Sequence, residues 1–432
     1  MHPNHNLNRR RDILILIFSS LGIIGLLARG TYLAFTGIAY INPADVSSLA
    51  SSSLEALAML FCCGLLLPML VYTIKRLKRQ EISAATIKPV KFWQGSTLLA
   101  AWVLILIIGS VLASSFTYGW AVAAPFFLLG ISLPILILSW IGLGGLPAGS
   151  RRRLWAVFGF GMVGSTLAAV LLEYLVIGAA IVAIGLLAVA NPELHSVVDQ
   201  IRVQVTNAKA GDVQALLTVL APYITNPLVI LSILIFAAVL TPLIEEAAKP
   251  AIIWFLGKRL RSPAEGFVLG ALCGAGFAML EGLMAASGAT QMWGFGLAGR
   301  AAASLMHITS SGILGWGIAS AQLEKRYGRL ALTYLLSVSI HGLWNGSAII
   351  AVYGALRVMV QNNIQLDFPS VLYVVAGLGM LFLELTLMLS ALPLINRSLR
   401  RSVMPASISQ VQSDIIAPPA TSNPRETNGL DS

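Results

Sequence analysis

The sequence predicts an all-α, polytopic transmembrane helical bundle of about ten spans with both termini cytoplasmic. Three observations carry this expectation. The 432 residues are 57% hydrophobic and 11% charged, with a mean hydropathy of +0.83, whereas a soluble domain carries about 25% charged residues. Apolar runs of about 18 residues or more, each long enough to cross a hydrocarbon core, recur along the whole chain and do not alternate in polarity as β-barrel strands do. Lys and Arg gather in short clusters between the runs, and every cluster falls on one side if each run crosses once.

The elements follow in order. The first span, 13–36, comes after Arg9, Arg10 and Arg11. Its basic flank resembles a signal peptide, but the run is long and has no clear small-x-small cleavage site, so an uncleaved span is expected. The second, 54–74, is followed by Lys75, Arg76, Lys78, Arg79, Lys88 and Lys91. Spans 96–116 and 119–142 lead to Arg151, Arg152 and Arg153. The fifth run, 154–190, is long for one upright crossing at about 1.5 Å per residue. Splitting it in two would put Lys258, Arg259 and Arg261 on the opposite side, so one long or tilted helix is expected. The remaining spans are 227–257, 265–287, 299–320, 330–353 and 371–395, with basic clusters at Lys325, Arg326 and Arg329 and at Arg397, Arg400 and Arg401.

This placement reads the net charge of +10 as topogenic, and no nucleic-acid partner is expected. Cys62, Cys63 and Cys273 lie in apolar runs without metal or disulfide spacing. The chain divides into an N-terminal membrane module of about five spans (1–190), an outer-side loop with amphipathic spacing (191–226), a C-terminal catalytic membrane domain (227–396) and a Pro/Ser/Asn-rich disordered cytoplasmic tail (397–432).

Ionisable groups inside a bilayer are costly and face the protein interior or a water-filled cavity. Beyond residue 226 these are Glu245, Glu246, Lys249, Glu281, His307, His341 and Asn345, on four successive spans. Glu245, Glu281, His307 and His341 all lie roughly 18–24 Å from the cytoplasmic ends of their spans at 1.5 Å per residue. Scattered structural polar groups need not share one depth, so the coincidence points to a shared site. Glu245 and Lys249 are i,i+4 and Glu246 and Lys249 are i,i+3, so one ammonium can neutralise either carboxylate. That leaves carboxylate in excess, to be met by a proton, a metal or Arg300. His341 and Asn345 are again i,i+4, a pairing that can ligate, move protons or donate to an oxyanion. Pro242 and Pro250 bracket the glutamates, and each removes a backbone donor and can kink the helix. Glu55, Glu173 and Glu384 look isolated in their spans.

A buried Glu/Glu/His set suggests a general base acting on water. No HExxH helix is present, and no aspartate lies between Asp212 and Asp367, which excludes an aspartyl dyad in these spans. "EEAAK" (Glu245–Lys249), "FAMLE" (Phe277–Glu281), His307 and "HGLWN" (His341–Asn345) occur in that order on successive spans. Together they resemble the EExxK, FxxxE and later histidine motifs of the PrsW family of intramembrane proteases, over about residues 235–350. That family is similar to the group holding the type II CAAX prenyl endopeptidases and the bacteriocin-processing CPBP proteins. In that group the second motif ends in His, where this chain has Glu281.

The resemblance implies an endopeptidase of the bacterial cytoplasmic membrane that cleaves membrane-anchored proteins, such as anti-sigma factors, within the bilayer. It implies that Glu245 or Glu246 activates water, that His307 assists or ligates, and that His341 and Asn345 position the scissile carbonyl or stabilise its oxyanion. Lys249 and Arg300 would support them. A zinc ion held by His307, His341 and Glu281 with one open position and a metal-free glutamate mechanism both fit these residues. Two other classes fit the polar layer: a proton-coupled secondary transporter, which would show paired halves, and a non-catalytic membrane scaffold.

Overall fold

The apolar runs fold as helices whose ends are set by local chemistry. The computed structural model describes residues 3–39, 46–82, 84–89, 91–207, 223, 226–288, 293–360 and 367–416. Helices α1 (Pro3–Ala39) and α2 (Val46–Leu77) form an antiparallel pair, with Gly30 against Met59 at their crossing. Helices α3 (Phe92–Ser115) and α4 (Gly119–Leu143) form a second pair. Two short strands, β1 (Ala84–Thr86) and β2 (Pro147–Ser150), pair antiparallel beside them.

Helix α5 (Arg151–Gly159) is capped by Ser150, whose side chain accepts from Arg153 N. It continues through a π-helical turn, Phe160–Ser165, into α6 (Thr166–Ala190). The fifth run is therefore one uninterrupted helix of 40 residues, Arg151–Ala190, as its flanking charges require. Helix α7 (Pro192–Asn207) occupies the start of the outer loop, and most of the rest of that loop lies outside the described residues.

The sixth run is broken into pieces. Helix α8 (Pro227–Ile235) starts on Asn226, whose side chain accepts from Leu228 N. A second π turn, Phe236–Leu240, leads into α9 (Thr241–Ala248), and a turn at Lys249–Pro250 precedes α10 (Ala251–Leu256). The two prolines explain the breaks, because Pro242 and Pro250 cannot donate to the carbonyls four residues back. The last four helices are α11 (Pro263–Ser287), α12 (Trp293–Glu324), α13 (Tyr327–Val360) and α14 (Phe368–Ile416).

Helix α11 is the centre of the molecule: 83% of its most apolar window is buried. It is rich in glycine, and Gly266, Gly270 and Gly274 recur at i,i+4 on one face. A Cβ at these positions would collide with the backbone carbonyls of Gly315, Ser311 and His307 on α12. Such small residues let membrane helices approach backbone to backbone. On another face Gly276 meets the Phe158 carbonyl, and Gly161 of the first π turn meets Cys273. Helix α11 is thus clamped between α12 and the fifth span.

About ten spans fit the structure: among the described residues nine helices are long and apolar enough to cross a membrane, and α12 is a further long, more polar helix. Its 32 residues carry Ser304, His307, Thr309, Ser310, Ser311 and Gly312, which lower its hydropathy because it packs inside the bundle. Helix α14 continues to Ile416, into the segment expected as a tail. Asn396 holds that extension by donating to the Gly142 and Gly144 carbonyls at 2.8 and 3.1 Å, and Arg400 packs on Gly145. Residues 417–432 lie outside the described residues.

Candidate active site

The site is assembled from residues three and four apart on helices that the glycine seam and the helix breaks hold in register. Glu246 and Lys249 are fully buried at 0% exposure, and His307 and His341 at 2%. A charge so placed needs close partners. Lys249 Nζ donates to Glu246 Oε1 at 2.6 Å and lies 2.8 Å from His307 Nδ1. It forms an ion pair with Glu245 Oε2 at 3.0 Å and stands 4.6 Å above the Phe277 ring. His341 Nδ1 lies 3.0 Å from Glu246 Oε1, and its Nε2 is 3.8 Å from Glu245 Oε2. The two imidazole rings meet edge to face at 5.2 Å.

Glu281 and Arg300 form the part-exposed end of the cluster. Glu281 Oε2 lies 2.7 Å from Arg300 Nη2 and 2.8 Å from His307 Nε2. A carboxylate beside Nε2 favours the tautomer that carries its proton there, which leaves Nδ1 as a lone pair facing Lys249. Glu246 does the same for the other ring, fixing the proton on His341 Nδ1 and freeing Nε2 toward Glu245.

The backbone around these groups is irregular where it matters. Lys249 O, released by the turn at Pro250, accepts from Ser165 Oγ of the first π turn at 2.9 Å. Tyr334 Oη donates to Leu243 O at 2.9 Å, and Ser337 Oγ to Ser310 O at 2.8 Å, tying α13 to α9 and α12. The first π turn thus meets the site directly, as π-bulges often do.

The structure brings together Glu245, Glu246, Lys249, Glu281, Arg300, His307 and His341. Asn345 is not among them. Its Nδ2 donates to Ala237 O at 2.8 Å, a carbonyl within the second π turn. One helical turn from His341, its amide is spent on that backbone carbonyl. Glu384 and Glu55 each find one partner, Ser347 Oγ at 3.2 Å and Arg29 at 3.0 Å.

Glu173 was missed by the sequence and belongs here. Along one face of the fifth span, Ser165 bonds to Lys249, Ala169 packs on Ala248 and Phe277, and Glu173, one further turn on, reaches the Glu245 carboxyl. The i,i+4,i+8 spacing of Ser165, Ala169 and Glu173 was the signal, but only the register between α6 and α9 gives it meaning.

The cluster carries an excess of carboxylate. Glu173 Oε1 and Glu246 Oε2 are buried without a hydrogen-bond partner among the described residues, which is rare for buried polar atoms. With every carboxyl ionised, Glu173, Glu245, Glu246 and Glu281 exceed Lys249 and Arg300 by two negative charges. Glu245, His307 and His341 offer ligand atoms within 4.8 Å of one another, all buried. One carboxylate and two imidazoles suit a catalytic zinc-type site with an open position. As a set with both imidazoles, Glu245 stands nearer than the expected Glu281 does, since Glu281 pairs with Arg300 at 2.7 Å on the Nε2 edge of the His307 ring.

A helical bundle that spans the membrane and encloses a carboxylate–imidazole site among its helices is an intramembrane hydrolase in its construction. A family model described as PrsW family intramembrane metalloprotease matches residues 149–380, more than half of the chain, and the protein belongs to that family. It is a multi-pass membrane peptidase that acts on membrane-protein substrates. The match begins at residue 149, so it takes in the fifth span, including Glu173, beyond the 235–350 segment that carries the motifs. No curated protein and no solved structure shows a significant match.

Proposed function

We propose that this chain hydrolyses peptide bonds of membrane-anchored proteins with the Glu245, Glu246, His307 and His341 cluster, in a bacterial cytoplasmic membrane with both termini inside. The observation that carries the reading is the convergence of two carboxylates and two imidazoles, almost fully buried, on one point. The basic clusters between spans support the orientation.

Glu245, His307 and His341 would hold a zinc ion. Such an ion lowers the pKa of bound water and polarises the scissile carbonyl. Glu246 orients His341 through Nδ1, and Glu281 orients His307 through Nε2, outer contacts that set tautomer and ring direction. A carboxylate of the Glu245–Glu246 pair accepts the proton of an attacking water and returns it to the leaving amine, and Glu173 braces Glu245 from the fifth span. Lys249 holds the carboxylates together in the resting arrangement. It competes with a metal for Glu245 and His307 Nδ1, so loading requires the ammonium to withdraw. Water and substrate approach from the Glu281–Arg300 end, where the side chains are one-third and one-fifth exposed (33% and 22%).

The test is cleavage of a membrane-anchored reporter in proteoliposomes by wild type and by the Glu245→Ala, Glu246→Ala and His341→Ala variants, with and without chelator. Wild type alone should cleave, and chelator should stop it. Equal cleavage by all four proteins would refute the residue assignment. Cleavage that persists in chelator would refute the zinc.

A further inference from the structure

A second polar cluster lies between α1, α5 and α10, and the peptidase chemistry makes no use of it. Arg11, Arg152 and Arg153 line the mouth of a cavity of about 350 Å³ whose walls are otherwise apolar, including Phe18, Phe160 and Ile252. Basic residues at span ends are usually solvated anchors, and three facts set this group apart.

The acids nearby are already taken. Asp12 pairs with Arg152 at 2.7 Å. Glu265 pairs with Arg153 and also accepts from Arg261 N. Arg11 itself sits in the field of Arg152, Arg153 and Arg259, with Asp12 as an acidic neighbour. Its Nε is buried and finds no hydrogen-bond partner among the described residues. Among the described residues Arg11, Arg152, Arg153 and Arg259 thus outnumber the carboxylates of Asp12 and Glu265 that pair with them, and the surplus is positive. The cavity also opens sideways: Leu14 and Phe255 on its rim are 65% and 80% exposed, which is where lipid chains lie.

We propose that this cavity binds an anionic phospholipid, with its phosphate against Arg11 and Arg152 and one acyl chain in the apolar slot beneath. Guanidinium groups recognise phosphate through paired, charge-assisted hydrogen bonds, and basic pockets between membrane helices hold anionic headgroups in this way. The slot accounts for the acyl chain and the unpartnered Arg11 Nε for the phosphate. The bound lipid would join the first span to the fifth and sixth, both of which contribute to the active site.

The experiment uses the full-length protein in a neutral detergent and reads lipid retention by native mass spectrometry, so it does not depend on proteolysis. The probes are phosphatidylglycerol, phosphatidylcholine with the same acyl chains, and inorganic phosphate. Wild type should retain one phosphatidylglycerol about ten-fold more tightly than phosphatidylcholine, about 1.4 kcal/mol, and inorganic phosphate should not displace it. Arg11→Gln should abolish that preference. Leu14→Trp, which fills the slot from its exposed rim, should weaken retention of both lipids while keeping the arginines. Equal retention of the two lipids by wild type overturns the proposal, as does an unchanged preference in Arg11→Gln. Displacement by inorganic phosphate overturns it in favour of a free-anion site. If Arg11→Gln does not fold, the wild-type preference and the Leu14→Trp result decide the matter.

Discussion

The two polar clusters of this apolar chain are opposites. The one around Lys249 is enclosed among α6, α9, α11, α12 and α13, part-exposed at its Glu281–Arg300 end, and has carboxylate in excess. The one around Arg11 sits at the ends of α1 and α5 and has guanidinium in excess. In both, the protein supplies partners for most charges and stops short of neutrality. The remainder is negative in the first, which suits the proposed zinc, and positive in the second, which suits the proposed anionic lipid. Depth separates them further. The buried cluster has matched rings and ion pairs at 2.6–3.0 Å, while the other opens to the bilayer.

The comparison can be broken most decisively at the carboxylate-rich cluster. Glu245→Ala or His341→Ala should lower reporter cleavage about 10²–10⁴-fold, the range lost with a general acid–base group, while circular dichroism stays that of the wild type. A smaller loss would mean that the surplus of carboxylate serves packing. Next in size is Lys249→Met, which strands Glu246 at 0% exposure. Breaking a buried pair in this way costs about 3–5 kcal/mol, seen as a lower melting temperature in detergent, and adding Glu246→Gln should recover part of it. The same Lys249→Met protein should bind zinc more tightly by calorimetry, because the competing ammonium is gone.

Gly274→Val tests whether the site needs the close approach of α11 to α12. It should destabilise by about 1–3 kcal/mol or more, as overpacking does, and displace His307, so that cleavage falls more than stability alone explains. The finest test is Glu173. Glu173→Leu should reduce kcat by about ten-fold or somewhat more, as outer contacts of a metal site do, with KM unchanged, and Glu173→Gln should restore most of the rate.

Much of this was legible beforehand, for reasons that can be stated. Span number and the long fifth helix follow from hydropathy and from where the arginines fall. The site's depth follows because helical rise converts residue counts into height, which put Glu245, Glu281, His307 and His341 in one layer. What height does not give is azimuth and pairing between helices. Glu173 looked isolated because its partner is set by the packing of α6 on α9. Asn345 shared a turn-to-turn face with His341, yet the π turn of a neighbouring helix presented a free carbonyl that no periodicity announces. The pairing of Glu281 with Arg300 likewise depends on a reach across to α11 that the sequence left open.

The glycine seam between α11 and α12 has a consequence for motion. Its backbones interlock without side chains between them, so those amides can open to exchange only when the two helices part. The sixth span contrasts with this: only 6% of its most apolar window is buried, and its ladder is interrupted at both prolines. Hydrogen exchange should therefore be slowest around Gly270 and Ser311 and far faster in α8, which has no buried residue. One wall of the site should stay put, while the helix that leads to Glu245 and Glu246 should open first.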